Sequence, residues 1–159
     1  MGKEIIIAVV FIIAAIAISA WYKSSQKSKG NIIDRPRDFA EYAEIFTIRP
    51  VTDQEFFDAV NRSGIKSIYP GMKISGNTGT MYLEVGSYFK AKISHKEQTD
   101  EHSVYRFEFI SWSSKHGTPE HDIEMNAVET KVEKMFLDLD PNAQVSTVKN
   151  EIKTKRSLI

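Results

Sequence analysis

Four histidines are the side chains of this sequence best suited to metal or proton chemistry: His95, His102, His116 and His121. His95 and His102 flank a charged segment, residues 96–101, that is predicted to be a hairpin loop, so they could face each other across its base. With carboxylates nearby, such a pair could hold a metal ion. No known ligand spacing is matched, and a solvated loop of mixed charge is the favoured interpretation.

The other two histidines lie in the segment KHGTPEHDIE, at the predicted start of a helix. His121, Asp122 and Glu124 resemble a metal-binding group only loosely. Acidic residues in a first helical turn are expected because they interact favourably with the helix dipole. A helix start therefore explains this segment without a metal ion.

The usual catalytic motifs do not occur in this sequence. Gly71, Gly76 and Gly79 lie in PGMKISGNTGT, whose spacing matches neither a P-loop nor a dinucleotide-binding fingerprint. No serine has a G-x-S-x-G context. The sequence contains no cysteine, which excludes a thiolate nucleophile, a disulfide and a thiolate metal site. We therefore expect a protein that is not an enzyme and needs no cofactor.

Apolar side chains on one predicted strand and one predicted helix form the remaining candidate site. They alternate along the strand and recur at helical spacing along the helix. The six are Tyr105, Phe107, Phe109, Met125, Val132 and Phe136. Such a set either frames an apolar pocket or packs as ordinary core. Core packing is favoured because protein interiors are generally close-packed.

Two amphipathic helices are predicted to support this set. The first, Asp53–Ser63, follows a capping box in which the Thr52 hydroxyl accepts from the amide of Glu55 while the glutamate side chain reaches back. The second, Pro119–Leu139, is expected to start with Thr118 as its cap and proline in its first turn.

The predicted strands are Glu44–Arg49, Lys66–Ser75 with a turn inside it, Thr80–Ser94, Ser103–Ser113 and an edge strand within Ala143–Thr154. Apolar residues alternate throughout Thr80–Ser94, which predicts one long strand bent near Gly86. At Phe109 and Ile110 the alternation slips, which predicts a β-bulge. The sequence thus predicts an α+β fold: an antiparallel sheet of about four to five strands with two amphipathic helices on one face, preceded by one transmembrane helix.

Residues 1–22 are predicted to span a membrane, residues 23–33 to form a linker and residues 34–159 to form the α+β domain. The run Ile5–Tyr22 has eighteen residues without a charge. As a helix it would be roughly 27 Å long, close to the thickness of a bilayer core. Trp21 and Tyr22 end the run, where aromatic rings favour the lipid–water boundary.

A cleaved secretory signal that ends near Ala20 is the alternative to a retained span. Retention is favoured because the basic residues gather after the apolar run. Lys23, Lys27 and Lys29 follow it, and the positive-inside bias then favours a cytoplasmic domain. The margin is small, and an exported domain remains the alternative.

The charge balance bears on the kind of partner. The 21 basic and 21 acidic residues cancel, so the chain lacks the basic excess typical of nucleic-acid binding. We therefore expect a membrane-anchored, non-catalytic binding or assembly module that contacts the lipid bilayer through its N-terminal span and recognises a protein or peptide partner. The alternative is a helix-and-sheet cup that binds an apolar small molecule or lipid.

Overall fold

The computed structural model describes the backbone of residues 2–150 and 155–157 and the side chains of residues 12–150. The chain divides into two compact units, Met1–Ile33 and Asp34–Ile159. The first unit consists of helix α1 (Gly2–Ser28) and a turn in which Gly30 has φ +66°. Helix α1 therefore continues into the segment predicted as a linker.

Large apolar side chains of α1 are exposed to solvent. They are Ile12, Ile13, Ile16, Ile18, Trp21 and Tyr22. Within the part of the chain that the structure describes, no helix combines the length and the apolar character needed to cross a membrane. The first half of the predicted span, residues 1–11, lies outside the residues whose side chains are described.

The second unit contains two further helices, α2 and α3, and one sheet. The helices are α2 (Asp53–Arg62) and α3 (Asp122–Leu139); the strands are β1 (Tyr42–Ile48), β2 (Lys73–Gly76), β3 (Thr80–Val85), β4 (Phe89–Gln98), β5 (Ser103–Lys115), β6 (Thr118–Pro119), β7 (Gln144–Lys149) and β8 (Lys155–Ser157). The strand order is β2-β3-β4-β5-β1-β7, and β6 and β8 also pair with β5. β8 runs parallel to β5, whereas β1 to β7 pair antiparallel. The predicted α+β class is confirmed, with more strands than the four to five expected.

The prediction of one long strand over Thr80–Ser94 is wrong. The chain reverses after Val85, at Gly86 with φ +48°, and returns from Phe89 as β4. Val85 pairs with Phe89 across the hairpin, so the apolar residues of both strands still share a face. Three residues form the turn, and an odd number preserves the alternation that a straight strand would show.

The predicted start of the second helix is also wrong. Thr118–Pro119 does not cap α3; it forms β6, which pairs with Ser114 and Lys115 at the end of β5. Helix α3 begins at Asp122, and His121, its N-cap residue, makes no capping bond through its side chain. The backbone pairing with β5 therefore overrides a helix-start signal in the sequence.

The capping box of α2 is confirmed. The Glu55 amide donates to Thr52 Oγ1 at 3.2 Å, and Glu55 Oε2 accepts from the Thr52 amide at 2.8 Å. Gly64, with φ +71°, follows the helix end. Together these signals account for both boundaries of α2.

Both α2 and α3 pack on the same face of the sheet. Phe56 of α2 stacks on Tyr105 of β5, with ring centroids 5.0 Å apart. Phe136 of α3 stacks on Phe46 of β1 at 4.3 Å. Tyr105 and Phe136 are themselves 5.1 Å apart, so the aromatic rings of the sheet and the two helices form one continuous core.

The predicted bulge in β5 is confirmed. Lys90 pairs with Ser111 and Ala91 with Phe109, so Ile110 is the extra residue. The added residue shifts the alternation by one position. Trp112 therefore lies in the same core as Phe109 instead of on the opposite face.

Candidate functional site

The six apolar residues predicted to form a pocket or core are all buried. Tyr105, Phe107, Phe109, Met125, Val132 and Phe136 each expose 3% or less of their surface. Their rings and side chains belong to one hydrophobic cluster that lies between the sheet and the helices. They therefore form part of the hydrophobic core of the domain.

The histidines do not converge. His95 stacks on the ring of Tyr105 at 4.6 Å. His102 Nε2 lies 3.6 Å from Glu97 Oε1, and His121 precedes α3. Among the residues that the structure describes, no three potential metal ligands come together. The strongest constellation of charged groups lies elsewhere.

One arginine contacts three glutamates at the inner face of the sheet. Arg35 Nη1 donates to Glu44 Oε1 at 3.1 Å. Arg35 Nε lies 3.2 Å from Glu129 Oε2, and Arg35 Nη2 lies 2.7 Å from Glu133 Oε1. We call these four residues the carboxylate cluster. Glu44 and Glu129 are buried, with 4% and 3% of their surfaces exposed.

Periodicity in β1 and α3 places the glutamates of the cluster. Side chains alternate along a strand, so Glu44 lies on the same face of β1 as Tyr42 and Phe46 and points toward the helices. Glu129 and Glu133 lie on the buried side of α3. Glu129 precedes Phe136 by about two helical turns and Glu133 precedes it by about one, so all three share one side of the helix. Because Phe136 stacks on Phe46, the glutamates of α3 lie opposite Glu44.

The charges of the carboxylate cluster do not balance if every carboxyl is ionised. Three carboxylates face one guanidinium in a site of low dielectric, where an uncompensated charge is costly. Burial raises the pKa of Glu44 to about 10, aided by its hydrogen bond with Glu133 and by the charges of the other two glutamates. Burial raises the pKa of Glu129 to about 7. The cluster therefore holds a proton at neutral pH.

One oxygen of Glu44 needs this proton. Among the described residues, no N–H or O–H group donates to the buried Oε2 of Glu44. A proton on Glu44 supplies the donor for a hydrogen bond to Glu133. Without it, the two carboxylates repel each other across their contact.

The carboxylate cluster opens into a cleft of about 230 Å³ at the edge of the sheet. The cleft is lined by Arg35, Pro36, Phe39, Tyr42, Glu44, Glu129 and Thr147. Thr147 belongs to β7, where it pairs with Glu44. The cleft therefore joins buried charge, apolar walls and the exposed strand β7 at one place.

A second buried carboxylate, Glu108, shows the contrasting arrangement on the opposite face of the sheet. Lys92 Nζ lies 3.0 Å from one oxygen of Glu108, and Arg106 Nη2 donates to the other at 3.1 Å. Burial alone would raise the pKa of Glu108, but the hydrogen bonds from Arg106 and Lys92 lower it. Here the cations balance the carboxylate, so this group stays ionised.

The sequence-based prediction missed all four members of the carboxylate cluster. A signal was present in the periodicity: Glu44 occupies an inward position between Tyr42 and Phe46, and Glu129 interrupts an apolar stripe. No comparable pattern identified Arg35, which is brought to the glutamates only by the fold.

Comparison with protein-family models and with curated proteins found no match for this chain.

Proposed function

We propose that the protein is a non-catalytic, membrane-associated binding module that accepts an extended peptide segment of a partner protein along β7. The observation that carries this proposal is the exposure of β7: all six residues are exposed, and among the described residues no strand pairs with its outer edge. The backbone amides and carbonyls of an unpaired edge can bind an added strand. Val145 and Val148, on opposite faces of β7, offer it apolar contacts.

The N-terminal helix supports the membrane part of the proposal. Its exposed apolar side chains, from Ile12 to Tyr22, need a non-aqueous environment. The uncharged run Ile5–Tyr22 has the length of a span. The proposed role of α1 is to hold the binding domain at the bilayer, with the domain on the cytoplasmic side.

Peptide binding is tested with the full chain in lipid nanodiscs. A displayed library of random heptapeptides is selected on the nanodisc-bound protein, and enriched peptides are added back during amide hydrogen exchange. We expect slower exchange of the amides of residues 144–149, because strand addition protects an exposed edge. Binding that leaves these amides unprotected, or a selection without enrichment, would refute strand addition.

A matched pair of variants strengthens this test. Val145→Lys places a charge on β7 and should weaken binding of the selected peptides. Leu137→Lys makes the same change on α3 at a similar exposure (42% against 45% for Val145) and should leave binding unchanged. Equal effects of the two variants would argue against β7 as the docking edge.

Membrane association is tested by flotation of the full chain with phosphatidylcholine vesicles in high salt. We expect the chain to float, because salt screens contacts between charges but does not screen apolar contact. Replacing Ile13 and Ile16 by lysine should abolish flotation, whereas replacing the exposed Leu137 should not. A wild-type chain that stays at the bottom of the gradient would contradict the proposed membrane association.

A further inference from the structure

We propose that the cleft beside β7 is a binding pocket for one lysine side chain of the bound peptide, whose ammonium group takes the place of the proton held by the carboxylate cluster. That the ammonium belongs to a peptide rests on the proposed function. The pocket itself rests on the cleft and on the buried Oε2 of Glu44, to which no other group among the described residues donates a hydrogen bond.

The size of the cleft selects a single side chain. Its volume of about 230 Å³ is smaller than the roughly 300–1,000 Å³ of pockets that hold drug-sized ligands. Pro36, Phe39 and Tyr42 can pack against the methylene stem of a lysine, since such stems bury readily against apolar surface. An extended peptide on β7 would pass the opening of the cleft at Thr147, where the strand and the cleft meet.

Charge complementarity selects a cation. The carboxylate cluster has three acidic groups and one guanidinium. Glu44 Oε2 is buried without a donor among the described residues, and Glu44 exposes only 4% of its surface. An ammonium group brings three donors and one positive charge, which suit this oxygen and the neighbouring Glu129.

Proton exchange follows from the same geometry. The charged groups that face Glu44 are Glu129 and Glu133 of α3 and Arg35, which precedes β1. Tyr42 and Thr147 line the opening of the cleft. Lys149 of β7 pairs with Tyr42 across the two strands. With the ligand absent, a proton on Glu44 relieves the repulsion between the carboxyls. When the ammonium enters, that proton leaves to solvent and the total charge of the site is unchanged. Binding should therefore release one proton per lysine.

The test uses the full chain in nanodiscs and two small probes that cannot add a strand: N-acetyl-lysine N-methylamide and its norleucine analogue. Calorimetry is repeated in buffers of different ionisation enthalpy, which reports the number of protons released. We expect the lysine probe to bind and, between about pH 7.5 and 9, to release about one proton and to gain about tenfold in affinity per pH unit. In that range Glu129 of the free site is already ionised, Glu44 still holds its proton and the ammonium of the probe stays charged. Equal binding of the norleucine probe, or binding without proton release, would overturn the inference.

Two variants of similar burial locate the effect. Glu44→Gln keeps the side-chain size but removes the charge, and the lysine probe should lose roughly 10–100-fold in affinity, the loss expected for a charge-assisted hydrogen bond. Glu108→Gln changes an equally buried carboxylate on the opposite face and should leave binding unchanged. An unaltered affinity of Glu44→Gln for the lysine probe would overturn the proposed lysine pocket. Proton release is measured on the wild-type chain, so that test does not depend on the folding of either variant.

Peptides separate this inference from the proposed function. Each peptide selected on β7 is compared with a version in which lysine is replaced by norleucine. Protection of residues 144–149 with equal affinity for both versions would refute the lysine pocket and leave strand addition intact. Binding of the lysine probe without protection by any peptide would refute strand addition and show that the pocket takes a free amine.

Discussion

Replacement of Phe136 by alanine is the sharpest test of how the interior of this domain is filled. The Phe136 ring is fully buried and lies 4.3 Å from Phe46, 5.1 Å from Tyr105 and 6.3 Å from Phe56, measured between centroids. Its removal deletes three ring contacts and leaves a cavity where α3 meets the sheet. Phe-to-Ala changes at buried sites cost about 3–5 kcal/mol. The number of ring contacts places this site near the upper end, because aromatic pairs add about 0.5–1.5 kcal/mol beyond the area that they bury.

The assay is urea unfolding of the full chain in mild detergent, followed by near-ultraviolet circular dichroism. Phe57→Ala serves as the control, since Phe57 is 37% exposed and should cost less than about 1 kcal/mol. A loss below about 1.5 kcal/mol for Phe136→Ala, together with binding of an apolar dye by the wild-type chain, would contradict a close-packed interior. That outcome would favour the cup that binds an apolar small molecule or lipid.

Three further predictions follow from local contacts. Thr52→Ala removes the capping hydroxyl of α2 and should lower the free energy of unfolding by about 1 kcal/mol, whereas Thr52→Ser should retain most of it. Gly76→Ala should destabilise more than Gly71→Ala in the same urea assay, because a Cβ at Gly76 would overlap the Thr80 carbonyl oxygen while nothing lies within 4 Å at Gly71. Burial raises the folded-state pKa of Glu129 to about 7, so its contribution to stability is full below its ordinary value of 4.5 and is lost as the pH rises through 7. Between pH 5 and 8 the wild-type chain should therefore lose roughly 1–3 kcal/mol more than Glu129→Gln, and parallel pH profiles would refute the raised pKa of Glu129.

Local signals in the sequence were sufficient for several elements. The capping box at Thr52 and Glu55 identified the start of α2, because its two hydrogen bonds join residues three positions apart. The break in alternation at Ile110 identified the bulge in β5, and the alternation itself identified which residues face the core. The α+β class followed from these patterns, since half-buried strands and amphipathic helices must cover each other's apolar faces.

Other features depended on residues far apart in the chain. The residues from Thr80 to Ser94 show one unbroken alternation, yet they form two strands, because a three-residue turn preserves the alternation. Thr118 carries a capping signal, but pairing with β5 places it in a strand. In both cases the local pattern is compatible with two structures, and hydrogen bonds to another strand select one.

The carboxylate cluster depended most strongly on tertiary structure. In the sequence, the alternation of strand β1 predicts that Glu44 faces inward, and the helical spacing of α3 predicts the same for Glu129. Arg35 lies in a segment without periodicity. Only the packing of α3 on β1 brings their charged groups to within about 3 Å and removes them from water. The pKa of a carboxyl depends on burial and on neighbouring charges, both of which arise from the folded arrangement. The sequence by itself therefore determined which faces of the elements are buried, whereas the tertiary structure decided which buried charges meet, where the proton is held and which edge of the sheet lies beside it.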